Sequence, residues 1–176
     1  MGSPRFDPSR AVKFDLASGQ IDADGSRVVI PADAVMQLWR AAGEDAQRDF
    51  GRRIGTEIGR QIAEQLETPA EASIESVLEH LGGHLALLGF GSLSLERWGQ
   101  ALVLVVEGSP LDDALIAAVL EGAIQRGLGR DVHAVPLVPS RFLMTGATGA
   151  GRARGWLEEG VRWSEVIARL HERGDA

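Results

Sequence analysis

The chain has 176 residues, 44% hydrophobic and 24% charged, with a formal net charge of −7 and no cysteine. That length suits one domain able to bury its own core without a disulfide or metal staple, and the apolar content excludes a disordered chain. The acidic balance argues against a broad nucleic-acid footprint, and the missing cysteines exclude disulfides, thiolate catalysis, cysteine–zinc centres and thioester anchors.

Residues 1–10 carry Pro4, Arg5, Asp7 and Pro8 without an apolar core. They read as a disordered tail rather than a secretion signal, which leaves residues 11–176 as the single domain. The longest apolar runs, Ala101–Val106 and Ala114–Leu120, are far too short to span a bilayer. A cytoplasmic protein is the expectation. Ala11–Leu16 and Gln20–Ile30, with turn chemistry at Ser18-Gly19 and Asp24-Gly25, predict a short N-terminal β-hairpin arm or two edge strands. Pro31 fits the first position of a helix, and Val35, Met36, Leu38 and Trp39 follow at helical spacing.

A longer helix is predicted from Glu44 to Leu66. Its apolar line is Phe50, Ile54, Ile58, Ile62 and Leu66, and beside it runs a line of small residues, Gly51, Gly55, Gly59 and Ala63. Glycine costs a helix about 1 kcal/mol per position relative to alanine. Three glycines one turn apart therefore need a compensating gain, and close approach of another helix or strand supplies it. Arg52-Arg53 lie at helical spacing from Asp49 and Glu57, which predicts ion pairs along the helix.

Thr68-Pro69-Ala70-Glu71 reads as a capping box opening a helix with Ile74, Val77, Leu78, Leu81 and Leu85 on one face. Gly89 and Gly91 end it. Leu93 and Leu95 alternate with polar residues, Gly99 turns the chain, and Ala101–Val106 is a buried strand, so the pair predicts an antiparallel hairpin. Ser109-Pro110-Leu111-Asp112 announces a helix carrying Leu115, Ile116, Val119, Leu120 and Ile124, stopped at Gly127 and Gly129. Arg130–Val138 and Arg141–Met144 form a second hairpin, whose Pro136 and Pro139 favour an edge or a bulge. Gly151–Arg173 is helical with a break at Gly160. The order implies an α+β fold: one antiparallel four-stranded sheet made of two hairpins, with helices packed on it.

No catalytic set emerges. Thr145-Gly146-Ala147-Thr148-Gly149-Ala150-Gly151-Arg152 resembles the nucleotide-binding opening of a short-chain dehydrogenase. Arg152, however, occupies the third glycine position, and only 24 residues follow it. The stretch therefore reads as a flexible turn capping the last helix. His80 and His84 stand one helical turn apart, a spacing that can chelate zinc if Glu79 or a distant carboxylate supplies a third ligand; isolated pairs of this kind are more often solvated or capping, so beyond these two candidates no metal is expected. His133 and His171 have no partner evident by spacing. With no tyrosine and 5% aromatics, stacking on single strands is not expected. No cofactor is implied.

The order of elements and several local stretches resemble the 4-vinyl reductase domain, which is related to the adaptor subunits of the TRAPP vesicle-tethering complex. The resemblance spans about Phe14 to Thr145. It rests on Gly51, Gly55 and Gly59, on Leu88-Gly89-Phe90-Gly91, on Val105-Val106-Glu107-Gly108-Ser109-Pro110, on Gly122, and on Gly127-Leu128-Gly129-Arg130. It implies a homodimeric domain with an apolar pocket between sheet and helices, and members that bind small hydrophobic molecules or act as protein adaptors. Cysteines that many members use for zinc or an acyl chain are absent, so any ligand is held non-covalently. The helices over 74–88 and 111–125 are apolar over wide arcs. The candidate pocket residues are Ile58, Leu81, Leu85, Leu88, Ile116, Val119 and Leu120. The expectation is a non-enzymatic, homodimeric ligand-binding or sensory domain; the alternative is a protein–protein adaptor without a small-molecule ligand.

Overall fold

A computed structural model describes residues 5–8, 13–15, 20–22, 26–27, 29–66 and 72–173. Three short antiparallel strands come first, β1 (Lys13–Asp15), β2 (Gln20–Asp22) and β3 (Ser26–Arg27), paired in that order. The arm is thus three strands rather than one hairpin or two edge strands. Its expected turn residues, Ser18-Gly19 and Asp24-Gly25, lie outside the described residues, as does the Thr68-Pro69-Ala70-Glu71 capping box. Helices α1 (Ala32–Ala41), α2 (Glu44–Gln65) and α3 (Ile74–Leu87) follow. Ser73 caps α3, its hydroxyl accepting the Ser76 N–H at 3.2 Å.

The first hairpin is β4 (Ser92–Trp98) and β5 (Ala101–Glu107), followed by α4 (Asp113–Leu128). The second hairpin is β6 (His133–Val138) and β7 (Arg141–Thr145), followed by α5 (Ala147–Glu158) and α6 (Trp163–Arg173). All neighbouring strands are antiparallel, in the order β4-β5-β7-β6. The fold is the expected α+β arrangement. Pro136 sits on edge strand β6, where the register shifts between Pro136 and Val138, so its missing N–H spoils no central ladder.

The sheet carries helices on both faces. Leu104, Val106, Ala134 and Phe142 face the cluster built from α1–α4, whereas Ala101, Val103, Val135, Leu137 and Leu143 face α5 and α6. The reason is visible in β5, whose Ala101-Leu-Val-Leu-Val-Val106 run has no polar alternation: both its faces are buried. The glycine-rich stretch after β7 is helix, not turn. Gly146 is the N-cap, and Gly149, Ala150 and Ala153 are buried along α5. Gly160 (φ +84°) ends the following turn as expected.

The glycine line of α2 meets α4 backbone to backbone. A Cβ on Gly51 would stand 2.6 Å from Ala118 Cβ, and one on Gly55 or Gly59 would overlap the Val119 or Ala123 carbonyl. Gly122 of α4 returns the contact, where a Cβ would lie 2.6 Å from the Arg52 carbonyl oxygen. Helix α4 ends as expected at Gly129, left-handed at φ +65°, with its N–H donated to Gln125 O at 3.0 Å.

Candidate functional site

Six of the seven candidate pocket residues converge. Ile58 from α2, Leu81 and Leu85 from α3, and Ile116, Val119 and Leu120 from α4 are all buried in one cluster with Phe142 and Leu104 of the sheet. Leu88 stands apart, 43% exposed at the C-cap of α3. The predicted apolar line of α2 is buried at Ile58, Ile62 and Leu66 but emerges at its start, where Phe50 is 43% exposed.

His80 and His84 are buried on α3. His80 holds Ser76 O through Nδ1 at 2.9 Å, and the ring of Phe6 packs edge-on against both imidazoles, 6.0 Å from His80 and 5.1 Å from His84. Among the described residues no group of three His, Cys, Asp or Glu side chains could hold a metal ion. The Glu79 carboxylate, considered as a third ligand, instead accepts the Phe6 N–H at 3.2 Å.

A polar centre unrecognised in the sequence forms around Glu121, which is buried on α4. Its carboxylate accepts from Arg52 of α2 (3.3 Å), Arg154 of α5 (3.0 Å) and the Ala134 N–H of β6 (3.1 Å), while His133 Nδ1 lies 3.5 Å away. Arg52 thus pairs across the helix seam rather than with Asp49 or Glu57, and Glu57 pairs with Arg60 at 2.8 Å. The expected lack of partners at His133 and His171 is also corrected: His133 lies near Glu121 and Asp131, and His171 Nε2 accepts the Gln100 N–H at 3.1 Å. One signal could have marked Glu121. It is the only acid between Leu115 and Ile124, in a stretch otherwise apolar or glycine, and a lone carboxylate there needs a partner.

On the other face of the sheet, Glu96 accepts a two-pronged contact from Arg141 (3.1 and 3.3 Å) and the Trp98 indole N–H at 2.8 Å. The Arg141 hydrogen bond, helped by the indole and by the guanidinium charge, holds its carboxyl below the ordinary glutamate range; partial desolvation opposes it. Trp98 in turn packs against Trp163 of α6, the ring centres 4.4 Å apart and the planes tilted by 44°.

The Glu121 and Glu96 clusters each join several elements of the fold. The family model of the cellulose synthase D subunit matches residues 35–152, from within α1 into α5. The chain belongs to the cellulose synthase D-subunit family. That family has the 4-vinyl reductase-like fold, as the glycine pattern anticipated. The D-subunit match takes in the α2–α4 seam, Glu121 and the whole four-stranded sheet, and stops before α6. Among solved structures, the phenol-responsive sensory domain of the transcription activator PoxR, determined with phenol, is similar to this member of the D-subunit family. Its TM-score is 0.57 at 14% identity, covering 77% of this chain and 84% of that one. That likeness is one of fold. No curated protein matches.

Proposed function

We propose that the chain is a non-enzymatic assembly subunit of a cellulose-synthesising machinery, working through protein–protein contacts and as a homodimer. The observation that carries this reading is the family match across residues 35–152. One feature supports it: Val29 (81% exposed), Ile30 (53%) and Leu38 (74%) turn apolar surface outward before and along α1. Among the described residues no helix is long and apolar enough to cross a membrane. The test is co-expression with a cellulose synthase catalytic subunit, scoring co-elution and cellulose yield. Leu38→Glu should weaken co-elution and lower yield while leaving the fold intact. Unchanged yield without the chain, together with no co-elution, would remove the reading.

A second reading is a small-molecule sensor holding an apolar ligand non-covalently between sheet and helices. It is favoured by the fold shared with a phenol-responsive sensory domain. Phenol titrated into methyl-labelled protein should give saturable shifts at Leu81, Leu85 and Leu120 if this reading holds. Native mass spectrometry of the purified protein should then show a bound organic molecule. Flat titrations and a bare mass would eliminate it.

A further inference from the structure

Two successive glycines, Gly82 and Gly83, lie inside the continuous helix α3, and each weakens a helix relative to alanine. Gly82 is explained by the sheet: a Cβ there would stand 3.3 Å from Leu93 Cβ of β4. Gly83 points elsewhere. The volume its side chain would fill is taken by the Phe6 ring, which would overlap any Cβ at that position. His80 and His84, one turn apart, flank the same ring in edge-on geometry, with interplanar angles of 87° and 73°. The Nδ1 contact to Ser76 O fixes the orientation of His80.

The main chain is held as well, because Glu79 Oε1 accepts the Phe6 N–H across 73 residues of sequence. Ring and amide are thus recognised together, as in the binding of a short peptide by one anchor. The anchoring stretch reads Pro4-Arg5-Phe6-Asp7-Pro8. Flanking prolines restrict the free segment and reduce the entropy lost on docking.

We infer that the outer face of α3 is a docking socket for an aromatic-anchored peptide segment, with Gly83 as floor, His80 and His84 as walls and Glu79 as main-chain acceptor. Its resident occupant is the chain's own segment 5–8. The socket is separate from the buried cluster of Ile58, Leu81 and Leu120, and it stands whether the domain is an assembly subunit or a sensor.

The test uses the full-length F6A chain, labelled with nitrogen-15, and a synthetic peptide of residues 1–12. The peptide should produce saturable shifts at Gly83 and His84, and the same peptide with Phe6→Ala should bind at least tenfold more weakly. The unsubstituted chain should need at least tenfold more peptide, because its own Phe6 competes. Gly83→Leu should abolish binding. Should that variant fail to fold, Glu79→Gln, which alters only the rim, should weaken binding severalfold. Equal binding of the Phe and Ala peptides, or equal binding by the F6A and unsubstituted chains, overturns the socket.

Discussion

Gly55 of α2 lies so close beneath the Val119 carbonyl of α4 that no side chain fits between them. The obstacle is backbone on both sides, so rotamer changes cannot relieve it. Gly55→Ala would gain about 1 kcal/mol of helix propensity. It would also force the two helices apart, a strain on the order of 3 kcal/mol or more, beyond the usual cost of overpacking. The expected net loss is therefore about 2 kcal/mol or more, read as a lower urea midpoint. Gly151 of α5 makes the control, because a Cβ there meets nothing within 4 Å. Gly151→Ala should stabilise by about 0.5–1 kcal/mol.

This seam was legible in advance because glycine is costly in a helix and its four-residue spacing defines one line. The partner was not legible: periodicity says that something approaches, not that it is α4. The same limit explains Arg52. Local spacing offered Asp49 and Glu57, but folding brings Glu121 within 3.3 Å and buries it, so the long-range partner wins. The stretch from Gly146 to Gly151 failed for another reason. Its glycines argued for a turn, yet burying Gly149, Ala150 and Ala153 against the sheet rewards a helix that propensity alone disfavours. Leu88 differs from the other six candidates because α3 ends there, and its side chain is 43% exposed at the C-cap.

Glu121 joins α2, α4, α5 and β6, so its removal should be felt across the domain. Glu121→Ala leaves the buried Ala134 N–H without its acceptor and two guanidinium groups without their carboxylate. Arg52 and Arg154 are 45% and 47% exposed and can turn to water. The loss should therefore fall near 2–3 kcal/mol, below the 3–5 kcal/mol typical of breaking a fully buried pair. Glu121→Gln keeps an acceptor and should lose about half as much. A double-mutant cycle with Arg52→Ala should show positive coupling by chemical denaturation.

Acid sensitivity should trace in part to Glu96. Hydrogen bonding from Arg141 lowers its folded-state pKa beneath the ordinary value of 4.5, so the folded state binds its proton less readily than the unfolded chain does. The resulting stability is fully present above the unfolded value and is lost as pH falls through the lower folded value. Urea midpoints measured from pH 7 down to pH 3 should drop less steeply below about pH 4.5 in Glu96→Gln than in the unsubstituted chain. Parallel slopes would show that the contact to Arg141 contributes nothing to acid unfolding.

Helix α6 tests how the second face of the sheet is held. Trp163 packs at a tilt against Trp98 but remains 39% exposed, whereas Leu170 of the same helix is fully buried against the sheet. Trp163→Ala should cost about 1–2 kcal/mol, since part of the ring already meets water and only the portion in contact is lost. Leu170→Ala removes buried methyl groups and leaves a cavity, so about 2–5 kcal/mol is expected. The ordering matters more than either value. If the exposed tryptophan proved the costlier loss in thermal unfolding, α6 would be anchored by its aromatic contact to β4 rather than by the apolar layer beneath it.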